Sequence, residues 1–147
     1  MATSVFLNIP TSDLERARAF YSGVGWSIND NFSDENAICV VISDTIYLMV
    51  LTRDYFATFT DKTIIDPSTS AQVQISLSAD TRDDVDAFLE RVVAVGGAEQ
   101  REAQDYGFMY SRDFEDPDGN TFGMLWMDPV AAEMGPEAFL AQRGQGS

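Results

Sequence analysis

The feature that most restricts this chain is an order of elements that occurs twice. Residues 5 to 10, VFLNIP, read as a short strand closed by Pro10, whose ring removes a backbone donor. TSDLERARAFYSGVGW then carries helical spacing: Ser12 and Glu15 are placed as a capping box. Leu14, Ala17, Arg18 and Tyr21 share one face, and Gly23 and Gly25 stop the helix. Three strand-like runs come next, Trp26 to Phe32, Ala37 to Ser43 and Thr45 to Thr52, with Ser43-Asp44 as a tight connection between the last two. The order then restarts. AQVQISLSAD reads as a strand. TRDDVDAFLERVVAVGG reads as a helix capped by Thr81 with Asp84, apolar at Val85, Phe88, Leu89, Val92 and Val93, and ended by Gly96-Gly97. Strands are expected near Ala98 to Ala103, Phe108 to Phe114 and Thr121 to Met127. Phe6 and Gln74 lie 68 positions apart, and so do Phe20 and Phe88. A duplicated βαβββ unit accounts for that shared offset.

The duplication predicts an α+β fold, in one domain spanning residues 1–147. Module 1 covers residues 4–52, a connecting loop 53–70, module 2 71–128 and a C-terminal tail 129–147. The connector holds Tyr55, Phe56 and Phe59 at near-helical spacing and ends in the linker-like DPSTS. A long aromatic connection is a lid, a partner-contact element or plain packing over the sheet edge. In the tail, Ala131 to Met134 and Pro136 to Gln142 read as short helices, and the terminal RGQGS as disordered.

The chain contains no histidine, which removes the commonest general base and the commonest metal ligand together. Twenty-four acidic residues against nine basic ones leave a formal charge of −15. Such a surface repels phosphate backbones and anionic lipid, so no nucleic-acid or membrane partner is expected. Cys39, the one cysteine, sits in the apolar run AICVVI and reads as a buried, inert thiol. No basic region followed by an apolar stretch opens the chain, and no apolar run nears the roughly 18 residues of a membrane span, so a cytoplasmic protein is expected. The paired carboxylates Asp34-Glu35, Asp83-Asp84 and Glu115-Asp116-Asp118 fall in turns or a first helical turn, where acid caps rather than catalyses.

Two stretches, FLNIPTSDLERARAFYSGVGW and DYGFMYSRDFEDPDGNTFGMLWMDP, together with the doubled βαβββ order, resemble the vicinal oxygen chelate superfamily. That superfamily includes the glyoxalases, bleomycin-resistance proteins, extradiol dioxygenases and fosfomycin-resistance proteins. The resemblance spans residues 4 to 130, and is nearest to a bacterial glyoxalase-like subgroup that reads DPDGHxWEVMWMD where this chain reads DPDGNTFGMLWMD. It implies half-open sheets around a cleft, with metal ligands from the first and last strand of each module. Those positions fall here on Phe6, Val50, Gln74 and Gly123. Two hydrocarbons, a neutral amide and a missing side chain do not chelate an ion. Where the subgroup reads Asp-His, the chain has Asp105-Tyr106, leaving Tyr106 or Tyr110 as weak proton donors.

The expected site is therefore a cleft without metal or other cofactor, lined by Phe6, Asn8, Leu48, Val50, Gln74, Ser76, Gly123 and Leu125, and rimmed by Tyr55, Phe108, Tyr110 and Trp126. An apolar concavity with a few amides and hydroxyls suits a small molecule. The expected function is non-catalytic binding of a small, planar or amphipathic ligand, with a cationic antibiotic matched to the acidic surface. The alternative is a metal-dependent lyase of glyoxalase type, or an extradiol-type dioxygenase, with ligands unrecognised in this register. Exposed edges of half-open sheets, and the habit of the family, lead to the expectation of a homodimer.

Overall fold

A computed structural model describes residues 3–145. In module 1, β1 (Val5–Thr11) leads into α1 (Leu14–Gly23), β2 (Ser27–Ile28), β3 (Ala37–Val41) and β4 (Ile46–Thr52). The sheet order is β1-β4-β3-β2, with β1 parallel to β4 and the other pairs antiparallel. The connector forms α2 (Arg53–Phe56) and a 3₁₀ turn over Ala57–Phe59. Module 2 repeats the plan: β5 (Gln74–Ser78), α3 (Arg82–Ala94), β6 (Ala98–Glu99), β7 (Gln104–Asp105), β8 (Met109–Glu115) and β9 (Thr121–Met127). Its order is β5-β9-β8-β6, with β5 parallel to β9 and β7 also paired to β8. Two tail helices follow, α4 (Pro129–Met134) and α5 (Pro136–Gln145). Among the described residues no helix is long and apolar enough to cross a membrane.

One core serves both modules. Ile9, Leu48, Val50, Ile38 and Val40 from the first sheet meet Leu77, Phe114, Phe122 and Met124 from the second, with α1 and α3 between them. Each such side chain, fully buried, contributes about 1.5–3 kcal/mol. Aromatic contacts cross the module boundary: Tyr21 to Phe122 at 6.2 Å, Phe20 to Phe114 at 6.5 Å and Trp26 to Phe88 at 5.2 Å between ring centroids. Arg91 Nε donates 2.9 Å to the carbonyl of Val24, tying α3 to the end of α1.

Local chemistry moved several boundaries. The N-cap of α1 is Asp13, whose Oδ1 accepts from the Arg16 amide at 3.0 Å. Ser12 is drawn away to Asp118 of the other module. The buried face of α1 is Ala17, Phe20 and Tyr21, while Arg18 pairs outside with Asp30 at 3.0 Å. The strand expected from Trp26 to Phe32 shrinks to Ser27–Ile28, because Asn29 caps a 3₁₀ turn over Asp30–Phe32 through the Asn31 amide. Such side chain-to-backbone bonds compete with a sheet ladder. Thr81 caps α3 through the Asp84 amide as expected, and Val85, Phe88, Leu89 and Val92 are buried, but Val93 is 56% exposed. The strand expected over Ala98 to Ala103 stops at Glu99. The tail is helical through Gln145, so α5 runs into the first residues of RGQGS; Gly146 and Ser147 lie outside the described residues.

Candidate ligand-binding site

The turn before β9 joins the modules. Asp116 is buried, and its Oδ1 accepts from the amides of Asp118, Gly119 and Asn120 at 3.0, 3.0 and 2.8 Å. Its Oδ2 accepts from Tyr21 Oη at 2.6 Å and Asn120 Nδ2 at 2.9 Å. Burial nonetheless holds the Asp116 carboxyl above the usual range, and burial with the facing Asp116 pushes the Tyr21 phenol well up, so its proton stays in the bond. Asp118 accepts from the Ser12 amide and hydroxyl at 2.9 Å each, from Thr11 Oγ1, and from Arg16 at 2.9 Å. Gly119 holds φ at 103°, and a Cβ there would stand 2.7 Å from the Pro67 carbonyl oxygen of the connector. A larger residue has neither the backbone angle nor the room.

Strand alternation then divides each sheet into two faces. In β1, Leu7 and Ile9 face the core, so Phe6 and Asn8 face outward; Phe6 is 56% exposed and stacks on Tyr47 at 4.8 Å. In β4, Leu48 and Val50 face the core and are fully buried, while Tyr47 and Met49 stand beside Phe6 and Asn8. In module 2, Leu77, Phe114, Phe122 and Met124 face the core. Gln74, Ser76, Ser111, Asp113, Gly123 and Leu125 therefore share the outward face.

A concavity of about 260 Å³ lies on that second face, lined by Gln74, Ser76, Arg101, Met109, Ser111, Asp113, Gly123 and Leu125. Asp113 pairs with Gly123 across the β8–β9 ladder, and its side chain leans over the glycine. Three polar atoms converge on the point a Cβ of residue 123 would occupy: Asp113 Oδ1 at 2.8 Å, Gln74 Nε2 at 3.1 Å and Ser76 Oγ at 3.3 Å. Gln74 Nε2 donates 2.9 Å to Asp113 Oδ1, and Arg101 Nε donates to Asp113 Oδ2. A carboxylate thus stands one strand over from Gly123, already engaged by an amide and a guanidinium.

This arrangement corrects the expected lining in three places. Leu48 and Val50 are core residues with no surface for a ligand. Tyr110 and Trp126 lie on the helix side, where the Arg82 guanidinium stands 5.3 and 5.1 Å from their rings. Tyr110 Oη donates 2.6 Å to Asp86, which also receives Arg112 at 2.8 Å. That bond raises the phenol above its ordinary value, making it a poorer acid. The third correction is that the expected floor is not one cavity: Gln74, Ser76, Gly123 and Leu125 line the concavity of module 2 without Phe6 or Asn8, and Asn8 instead borders a separate cleft with Val73, Ile75 and Thr121. Of the remaining rim, Phe108 stacks on the exposed Tyr106, and Tyr55 is exposed against Phe59. Burial raises the thiol of Cys39, as suits an inert side chain.

The residues do not fit a catalytic divalent ion. Among the described residues no cluster of three or more Cys, Asp or Glu side chains is placed to hold one. Asp113, the carboxylate nearest the expected floor, gives one oxygen to Gln74 and the other to Arg101. Three or more converging anionic or imidazole donors are what such an ion requires.

Sequence reasoning missed Asp113 and Arg101. Asp113 carried a usable signal, an acid on a strand that pairs with the glycine-bearing one directly across the hairpin. Arg101 sits in the irregular stretch between β6 and β7 and had none. A second cleft, of about 380 Å³, was also missed. It follows the seam between β1 and β5 under the connector, with Ile9, Phe56, Ile64, Pro67, Val73 and Ile75 in its wall. Phe56, rather than Tyr55, is the connector aromatic that reaches it.

Solved structures share this architecture. A hypothetical protein from S. aureus superposes with a TM-score of 0.72 at 25% identity, over 86% of this chain and 94% of its own. A glyoxalase/bleomycin resistance protein/dioxygenase family enzyme from Burkholderia phytofirmans gives 0.71 at 17% identity, over 86% and 99%. The fosfomycin resistance protein FosX from Mesorhizobium loti gives 0.66 at 17% identity, over 90% and 98%. Among curated proteins none matches. The sequence profile of the glyoxalase/bleomycin resistance protein/dioxygenase superfamily matches residues 4–124, so the doubled βαβββ chain with its DPDG turn belongs to that superfamily.

Proposed function

We propose that this protein is a metal-independent receptor for a small organic molecule, bound on the outward face of module 2. The observation that carries the reading is the state of the Gly123 position. No side chain projects there, and the neighbouring Asp113 is satisfied by Gln74 and Arg101. What remains is a concavity with amide, hydroxyl and guanidinium groups beside Met109 and Leu125, the mixture of apolar wall and few polar anchors typical of ligand sites. No histidine, activated thiol or unpaired carboxylate stands in it to move a proton.

The receptor works as a homodimer in this reading. The outward face of module 1 presents exposed Phe6, stacked on Tyr47, along an edge strand, which favours cover by a second copy. Two copies related by a twofold axis could set the Phe6–Tyr47 face of one against the Gln74–Gly123 face of the other.

Elemental analysis of protein purified without an affinity tag tests the receptor reading. The expected result is no stoichiometric Zn, Ni, Fe or Mn, and an unfolding midpoint unchanged by chelator. A tightly held ion lost together with an activity would establish the lyase or dioxygenase alternative instead. Sizing at micromolar concentration tests the dimer, with twice the monomer mass expected.

A further inference from the structure

Resting on the receptor reading, the geometry points to a ligand class: we infer that Arg101 receives the oxyanion head of an amphipathic anion, a carboxylate or a phosphonate, whose apolar body lies on Met109 and Leu125. Only one edge of the Arg101 guanidinium is used by the protein. Its Nε donates to Asp113, while its two terminal nitrogens have no partner among the described residues, and the side chain is 59% exposed. Asp113 is the reverse case, buried, with each oxygen taken by a donor. The concavity therefore offers a guanidinium to a ligand and withholds its carboxylate. The hydroxyls of Ser76 and Ser111 lie in the same lining and have no partner among the described residues, adding two groups that can donate.

The sign of this preference opposes the overall charge. At −15 the molecule attracts cations at long range, and a cationic ligand was the expectation from composition. At contact distance, directed donors decide, because two planar N–H groups match the two oxygens of a carboxylate or phosphonate. Asp113 acts as a positioning residue: it fixes the plane of Arg101 before the ligand arrives, which reduces the ordering cost of binding.

Calorimetric titration of the full chain with four aryl probes tests the inference: benzoate, phenylphosphonate, benzyl alcohol and benzyltrimethylammonium. The anions are expected to bind best, benzoate alone marking a carboxylate site and phenylphosphonate alone a phosphonate site. Arg101→Ala should weaken the anions roughly ten- to a hundredfold, the scale of a lost charge-assisted bond, without changing the other two. Arg101→Lys keeps the charge but not the fork and should fall between. Asp113→Asn is the sharper variant. Removing a negative charge strengthens anion binding if Asp113 matters only through its field, and weakens it if Asp113 orients Arg101; weakening is expected. Anions binding equally to wild type and Arg101→Ala would overturn the inference. So would binding of the ammonium or the alcohol without the anions, which would leave the receptor reading standing. Failure of all four would remove both.

Discussion

Asp113 and Asp116 are three residues apart on the same hairpin and almost equally buried, at 6% and 4% exposure, yet they do different work. Asp116 faces inward and takes five donors, four from its own turn and one from Tyr21 of the other module. Asp113 faces outward and takes two, one of them from a guanidinium whose remaining edge is open. Burial and residue type do not separate structure from recognition here. The origin and number of the donors do. The turn keeps the modules together whatever lies beyond it, which explains how the DPDG motif stands intact four residues before a strand position that holds only Gly123.

Substitutions can break this contrast, beginning with the inward member. Asp116→Ala leaves the Tyr21 hydroxyl and several amides without partners in the interior. Urea unfolding should then show a loss of roughly 3 kcal/mol or more. Asp118→Ala removes the bonds to Thr11, Ser12 and Arg16 at the more open end of the same hub, and about 1–2 kcal/mol is expected by the same measurement. Gly123→Ala sets a methyl 2.8 Å from Asp113 Oδ1. The carboxylate must swing aside, at about 1 kcal/mol in the unfolding free energy, and anion binding should weaken with it. Arg101→Ala, on the outward side, takes the donor from one oxygen of the buried Asp113, but the guanidinium it removes is itself largely exposed and water can reach the vacated place, so no more than about 1 kcal/mol is expected by unfolding.

The smallest effect is one of pH. Arg82 and the Gly107 amide hold the exposed Asp105 carboxyl at about 2, below its ordinary 3.8. A lowered carboxyl stabilises the fold above its ordinary value and loses that contribution as pH falls through the lowered one. Asp105 therefore contributes to a decline in thermal midpoint from pH 3.8 towards 2, and Asp105→Asn should flatten it. Asp116, raised rather than lowered, works in the opposite direction, favouring the folded form as acid protonates it.

Much of the architecture was legible because it rests on local pattern. The apolar spacing of α3, its Thr81 cap and the full extent of β9 follow from residues close in sequence. The failures came where a distant or side-chain partner intervened. Ser12 left its capping box for Asp118, more than a hundred residues away, and Asn29 ended β2 early by closing its own turn. Within the site, Leu48 and Val50 were assigned to the wrong face. Alternation establishes that neighbours point oppositely but not which set faces the core, and one residue of register exchanges them.

The residue identities alone establish a doubled βαβββ order, a chain without histidine, and a glycine four residues after the DPDG turn. Those facts are read from side-chain chemistry and spacing, and no folding can alter them. That Asp113 leans into the space above Gly123, that Gln74 and Arg101 hold it, and that the concavity of module 2 forms without Phe6 or Asn8 were decided by strand pairing and by packing between modules. These contacts join residues well separated along the chain, Gln74 and Asp113 by 39 positions, and only the registered sheet brings them within hydrogen-bond reach.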